Sequence, residues 1–208
     1  MSVVVTLEDI GKSYNFDWIF RHVSLTLNSS KSYAVLGGNG SGKSTLLKVI
    51  AGAAYATEGN VKYNINNVEV DKEKAFSLVS IAAPYQALFE EFTLAESIAF
   101  QAKFKPFIKG LTKQEIIDIT QLPKAAAKPL KYYSSGMKQR AKLALAILAD
   151  SPILLLDEPA SNLDKTGIEW FTNLVQQYTA NRLVMVASNR FEEESGFCTE
   201  VIEVEKYK

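Results

Sequence analysis

The sequence predicts an α/β fold: a parallel sheet around a glycine-rich loop, an antiparallel β layer and a helical subdomain. Three observations carry the prediction. Gly37-Gly38-Asn39-Gly40-Ser41-Gly42-Lys43-Ser44-Thr45 fits G-x-x-x-x-G-K-[ST] at every fixed position. It lies between the apolar Tyr33-Ala34-Val35-Leu36 and the helix-like Leu46-Leu47-Lys48-Val49-Ile50, the strand–loop–helix context the motif requires. Ile153-Leu154-Leu155-Leu156 and Leu183-Val184-Met185-Val186-Ala187 are apolar on all sides, as central parallel strands buried on both faces are.

The remaining elements follow in chain order. Val3-Val4-Val5-Thr6-Leu7, Val23-Ser24-Leu25-Thr26-Leu27, Gly59 to Ile65 and Ser77 to Ala82 alternate and are rich in β-branched residues. They read as strands of an antiparallel layer with one wet face. Thr93-Leu94-Ala95-Glu96 and Thr112-Lys113-Gln114-Glu115 are capping boxes, so residues 93–131 read as helical with breaks at Pro106 and Pro123. The helical subdomain is placed at about 88–135, inserted in one domain that runs over 1–208. A long helix is predicted from Gly136 to Ala149, stopped by Pro152.

Bulk composition narrows the function. The 208 residues are 47% hydrophobic, enough for a substantial core. Lys+Arg and Asp+Glu are both 23, so there is no basic surplus of the kind that marks a nucleic-acid binder. One cysteine, Cys198, excludes an intrachain disulfide, fits a reducing compartment and reads as a small filler residue. No signal-peptide pattern opens the chain, and the apolar runs fall short of the ~20 residues that span a bilayer. A membrane role would therefore come through a partner.

The loop residues carry specific chemistry. Glycines let successive backbone N–H groups point inward at phosphate oxygens, and the following helix N-terminus adds a favourable dipole. Lys43 can reach β- and γ-phosphates, and the Ser44 hydroxyl can ligate Mg²⁺. The chain is thus expected to bind a nucleoside triphosphate. Asp157 and Glu158 close an apolar strand at its C-terminal edge, where open α/β sheets bind ligands. Asp157 is the candidate holder of Mg²⁺ through water, and Glu158 the candidate general base toward an attacking water.

A second motif narrows the class. Tyr133-Ser134-Ser135-Gly136-Met137-Lys138-Gln139-Arg140 resembles the L-S-G-G-Q-x-Q-R signature of ABC ATPases, and it stands just before Ile153-Leu-Leu-Leu-Asp-Glu-Pro159. Ser161-Asn162-Leu163-Asp164 resembles the family's D-loop, Pro84-Tyr85-Gln86 its Q-loop, and Tyr14 the aromatic that stacks on adenine, with Phe16 and Trp18 as competitors. The resemblance covers essentially the whole chain in the family's motif order. It implies a P-loop NTPase core of ABC ATPase fold that binds ATP with Mg²⁺. It also implies a head-to-tail dimer in which Ser134 and the N–H of Gly136 reach the opposite subunit's γ-phosphate. By the same resemblance Gln86 senses the γ-phosphate through Mg²⁺ or water and moves the helical lobe, and Asp164 ties the two sites together. Ser134 also reads as an N-cap, which is compatible with that role.

Three positions depart from the family pattern. Ser135 replaces the first signature glycine and Met137 the signature glutamine. Asn189 falls where the family carries a switch histidine, and the only histidine is His22, read as an ordinary surface or sheet residue. An asparagine can donate to a γ-phosphate oxygen but carries no charge, so slowed rather than abolished hydrolysis is expected.

The resemblance implies membrane transporter subunits on separate chains as partners, a homodimer or a heterodimer with another ABC ATPase, and a cytoplasmic location on the inner face of the cell membrane. No nucleic-acid partner is expected. Overall likeness to short ABC subunits leans toward export. Phe89, Phe92, Phe100, Phe104 and Phe107 are expected mostly to form the helical lobe's own core, with some lining a groove for a short helix of the membrane subunit. Two other readings stay open: an ATP-gated dimerising module with little hydrolysis, and a soluble ABC ATPase acting on ribosomes or DNA. Retention of Glu158 favours the transporter subunit over the module.

Overall fold

The structure, a computed structural model, describes residues 2–189 and 194–208. The chain opens with two long strands, β1 (Val3–Tyr14) and β2 (Asp17–Asn28), joined by a tight turn in which Asn15 takes a positive φ of 55°. Strand β3 (Ser32–Leu36) feeds the glycine-rich loop, and α1 (Lys43–Ile50) follows. Next come β4 (Glu58–Ile65), β5 (Val68–Val70), a single turn α2 (Ala75–Leu78) and β6 (Val79–Ala82). The helical region holds α3 (Leu94–Gln101) and α4 (Lys113–Ile119), then α5 (Ser135–Ile147). The chain closes with β7 (Ile153–Asp157), α6 (Lys165–Tyr178), β8 (Leu183–Ser188), β9 (Glu200–Glu203) and a 3₁₀ turn over Val204–Tyr207.

Two sheets form. One is antiparallel in the order β2-β1-β4-β5, and the other runs β6-β7-β8-β3-β9. All four pairings in the second sheet are parallel. The parallel sheet, antiparallel layer and helical region match the predicted fold. One expectation is corrected. Ser77 to Ala82 is not part of the antiparallel layer; Ser77 and Leu78 belong to the turn α2, and β6 pairs parallel with β7. The polar residue of that alternation within β6, Ser80, is buried and accepts from the Ser151 hydroxyl, so the alternation does not mark a wet face. The predicted helical stretch of 93–131 is also shorter than read. Both capping boxes form, with Thr93 and Thr112 accepting from the N–H groups of Glu96 and Glu115 at 3.2 Å each. The helices they start stop at Gln101 and Ile119, before each proline, and turns, loops and the start of a 3₁₀ turn at Leu130–Tyr132 fill the rest.

The all-apolar strands β7 and β8 divide their side chains between two cores. Ile153, Leu155, Leu183 and Met185 enter a core shared with α1 and the antiparallel sheet. Leu154, Leu156, Val184 and Val186 enter a second core with α3, α4, α5 and α6. Strand periodicity of two produces this division. The core packing fixes the C-terminal ends of β3, β7 and β8 side by side, and these ends build the site.

Candidate functional site

Three strand ends converge. Leu36 lies opposite Ser188, and Asp157 opposite Ala187. The glycine-rich loop leaves β3 and enters α1 through Gly42, whose φ of 107° is left-handed. An added Cβ there would lie 2.6 Å from Ile19 Cγ2, so the loop needs glycine for both conformation and space. Lys43 folds back under the loop. Its Nζ donates to the carbonyls of Gly37 at 2.7 Å and Gly38 at 3.0 Å, and to Asn189 Oδ1 at 2.5 Å. The Nδ2 of Asn189 in turn donates to Asn39 Oδ1 at 2.6 Å and Glu158 Oε1 at 3.0 Å. One neutral amide thus joins the loop, the loop lysine and the candidate base.

Asp157 and Glu158 differ sharply in setting. Asp157 is 3% exposed, and its Oδ1 has no hydrogen-bond partner. Burial pushes its carboxyl above the usual range; the Ser44 hydroxyl pulls it back, and the neighbouring Glu158 adds to the rise. A buried carboxylate oxygen left unpaired beside a hydroxyl fits a divalent cation or its water. Mg²⁺ therefore fits Ser44 and Asp157, which would hold it and let it neutralise phosphate charge. Glu158 adopts a positive φ of 46°, and its N–H donates to Ala187 O at 2.9 Å. A non-glycine residue in this region costs roughly 1–3 kcal/mol and marks a position over-determined by its surroundings. The strain turns Glu158 off the strand and toward Asn189.

The ionised Asp157 has a stability cost whose sign can be stated. Its folded pKa lies above its unfolded value of 3.8. The folded state therefore loses stability as pH rises from the unfolded value through the raised folded one. Asp157→Asn is expected to raise the melting temperature of the nucleotide-free chain at pH 7 by a few degrees, at about 2–4 °C per kcal/mol. The same variant should lose Mg²⁺-dependent nucleotide binding. Calorimetry with and without Mg²⁺ checks both halves, and a lower melting temperature refutes the first.

Other predicted residues lie apart from this cluster. Ser134 is the N-cap of α5, accepting from Met137 N–H at 3.3 Å. Gly136 lies beneath the D-loop-like turn, where a Cβ would come 2.9 Å from the Asn162 carbonyl. Met137, in the place of the signature glutamine, packs against the second core. Asp164 is the N-cap of α6, accepting from Gly167 N–H at 2.8 Å and Thr166 Oγ1 at 3.0 Å, and these bonds hold its carboxyl below the usual range. Gln86 is exposed on the segment after β6 and borders a groove of about 310 Å³ between the core and the helical region. Tyr14 ends β1 with Lys12 Nζ 4.7 Å from its ring, while Arg21 covers Trp18 and Phe16 is 98% exposed. Ser41 Oγ is buried without a partner; Gly40 lies in the loop and Thr45 in the first turn of α1. His22 is exposed on β2 beside Asp9 at 2.9 Å, as read.

The aromatic expectation is corrected. Phe89, Phe92, Phe100 and Phe104 do not form a buried core but a partly exposed stack, with ring centroids 5.1–5.6 Å apart. Of the five, only Phe107 packs against the second core.

Two residues carry no sequence signal for their positions. Glu194 is buried; its Oε1 accepts from Ala160 N–H at 3.0 Å, and its Oε2 from the Ser188 hydroxyl. It joins the turn after Glu158 to the end of β8. Glu205, in the C-terminal 3₁₀ turn, accepts from Gly38 N–H at 2.9 Å. The Ala160–Glu194 and Gly38–Glu205 bonds span 34 and 167 positions, so local pattern could not reveal them.

A glycine-rich loop at the end of a parallel strand, a buried aspartate on the next strand but one and an added antiparallel layer define a nucleotide-binding cassette of the P-loop class. The family profile described as ABC transporter matches residues 20–161. The chain belongs to the ABC transporter family. It is 29% identical over 206 residues to the uncharacterized ABC transporter ATP-binding protein YxlF of Bacillus subtilis, covering 96% of this chain and 67% of that protein. It is 29% identical over 168 residues to the bacitracin transport ATP-binding protein BcrA of Enterococcus faecalis, covering 81% of this chain and 54% of that one. The cytochrome c biogenesis ATP-binding export protein CcmA of Agrobacterium fabrum is 29% identical over 187 residues, covering 88% and 87%. The match thus spans little more than half of some relatives' length. In fold the chain is similar to the ATP-binding cassette MJ0796 in a dimeric post-hydrolysis state bound to ADP and Pi, with a TM-score of 0.81, 21% identity and coverage of 96% and 93%. No helix among the described residues is long and apolar enough to cross a membrane.

Proposed function

We propose that the chain binds and hydrolyses ATP as the energising subunit of a membrane transporter, at the inner face of the cell membrane. The observation that carries this reading is the junction of Lys43, Asn189 and Glu158 at adjoining strand ends, beside the unpaired Asp157 oxygen. Loop N–H groups and Lys43 bind the triphosphate, and Ser44 and Asp157 hold Mg²⁺. Glu158 accepts a proton from water as its oxygen bonds to the γ-phosphorus. The bond to the bridging oxygen breaks, leaving ADP and phosphate.

Two copies, or one copy and another ABC ATPase, close head to tail over two ATP molecules. Ser134 and Gly136, at the N-terminus of α5, then donate to the γ-phosphate of the facing site. Ser134 keeps its capping bond in this role, because its own O–H remains free to donate. Asp164 would stand at the seam, Tyr14 at the adenine and Gln86 between nucleotide and helical lobe. The dimeric state of the similar cassette supports this arrangement. Turnover of Mg-ATP by the purified chain, with size followed on ATP addition, tests the reading. A chain that neither turns over ATP nor pairs on ATP addition sinks it.

Asn189 favours a second reading, an ATP-gated dimerising module of low turnover. Its amide supplies no charge to the phosphate, and hydrogen bonds to charged groups contribute roughly 1.5–3 kcal/mol. Losing part of that slows hydrolysis about 10-fold, at about 1.4 kcal/mol per decade. Asn189→His is therefore expected to raise turnover by about 10-fold. It should also introduce an imidazole step between about pH 5 and 8 that the wild-type profile lacks. Unchanged turnover across that range removes Asn189 as the cause of slow hydrolysis.

A further inference from the structure

The loop peptide between Gly37 and Gly38 is gripped at both ends. Its carbonyl, the O of Gly37, accepts from Lys43 Nζ at 2.7 Å. Its N–H, that of Gly38, donates to Glu205 Oε1 at 2.9 Å. A trans peptide unit is planar, and its C=O and N–H point in opposite directions. One end therefore meets an ammonium and the other a carboxylate. Turning the unit over would set the carbonyl against the Glu205 carboxylate and the N–H against the Lys43 ammonium. Two charge-assisted bonds would become two repulsions.

The C-terminal turn is built to deliver this carboxylate. Strand β9 pairs parallel with β3, and the last pair in register is Leu36 with Glu203. Two residues on, the two segments still meet, now through Gly38 and Glu205. The loop and the turn thus leave the sheet side by side. Val204, between Glu203 and Glu205, is fully buried in the first core. Its Cγ1 would lie 3.5 Å from a Cβ at Gly42, so the turn also packs against the far end of the loop. Tyr207 packs on the same core and closes the turn. Glu205 makes no ion pair among the described residues, whereas its neighbour Lys206 pairs with Glu203 at 3.1 Å. A Cβ at Gly38 would come 3.3 Å from Glu205 Oε1, so the carboxylate is seated against the loop backbone itself.

Resting on the ATP-binding reading above, we infer that Glu205 is a positioning residue of the phosphate loop: it holds the Gly37–Gly38 peptide with its carbonyl toward Lys43, and so sets where Lys43 stands when a triphosphate enters. Without this acceptor the peptide samples both orientations, and only one of them matches the folded-back lysine. Apparent affinity then falls with the fraction of loops in the matching orientation. The acceptor oxygen does this rather than the charge alone, since a side-chain amide oxygen can take the same N–H.

The test compares the full chain with Glu205→Ala and Glu205→Gln by calorimetric titration with Mg-ATP. Glu205→Ala should bind ATP about 10-fold more weakly, as for a lost hydrogen bond to a charged group. Glu205→Gln keeps the acceptor and should stay within about 3-fold of wild type. Glu205 is exposed, so the melting temperature of either nucleotide-free variant should stay within about 2 °C of wild type. In chain carrying isotope-labelled glycine, the Gly38 amide proton should resonate downfield in wild type and Glu205→Gln, and move upfield in Glu205→Ala. Equal ATP binding by wild type and Glu205→Ala overturns the inference, and so does a Gly38 amide that does not move in Glu205→Ala. An ATP affinity that falls together with the melting temperature in both variants alike marks a merely structural turn and overturns it as well. A wild type that binds no ATP overturns the ATP-binding reading and the inference with it.

Discussion

Glu158→Gln is expected to lower ATP turnover by roughly 10²–10⁴-fold, the usual contribution of a positioned general base. The change is isosteric and keeps the Oε1 acceptor for Asn189 Nδ2, now 3.0 Å away. What it removes is the capacity to take a proton. Lys43 and the loop carbonyls that hold it are untouched, so ATP affinity should change little. Binding and turnover measured separately give the contrast: nearly equal dissociation constants against a collapse in kcat. ATP-induced pairing should persist for longer in the variant, because hydrolysis no longer releases it. Turnover within a few-fold of wild type would place the base elsewhere.

Gly42→Ala is expected to damage both stability and binding. At φ 107° an alanine pays for the left-handed conformation, and its Cβ meets Ile19 Cγ2 at 2.6 Å and Phe20 Cδ1 at 3.2 Å. The first term is about 1–2 kcal/mol and the overpacking about 1–3 kcal/mol. Their sum, about 2–5 kcal/mol, is a large share of a typical folding free energy of about 5–15 kcal/mol. Relief of the clash must move either β2 or the start of α1, and the second choice turns loop N–H groups away from phosphate. Thermal unfolding and nucleotide titration check this together. A variant within about 1 kcal/mol of wild type that still binds ATP normally would refute the geometry assigned to Gly42.

Much of this protein was legible in its sequence, for identifiable reasons. The loop, its lysine and the two carboxylates are local patterns fixed by backbone geometry over a few residues. Both capping boxes formed for the same reason. The antiparallel assignment of Ser77 to Ala82 failed because alternation need not report a wet face: Ser80 is buried and satisfied by the Ser151 hydroxyl. The phenylalanines failed differently: side-chain type predicts burial, but here four rings pack mainly on one another at a groove. The family resemblance put the Asn189 amide near the phosphate, yet its bonds to Lys43 and Asn39 span 146 and 150 positions and that to Glu158 spans 31, beyond any local pattern. Glu194 and Glu205 had no motif at all. The strain at Glu158 also left no trace in composition, since any residue type can be forced there by its neighbours.

The division of β7 and β8 between two cores has a consequence for how this sequence can drift. A change of volume at Leu155 or Met185 must be answered by α1 or the antiparallel layer. One at Leu154 or Val186 must be answered by α5 or α6. Neighbouring positions on one strand thus belong to separate compensation groups. Among homologues, alternate residues of the same strand should covary with different halves of the molecule.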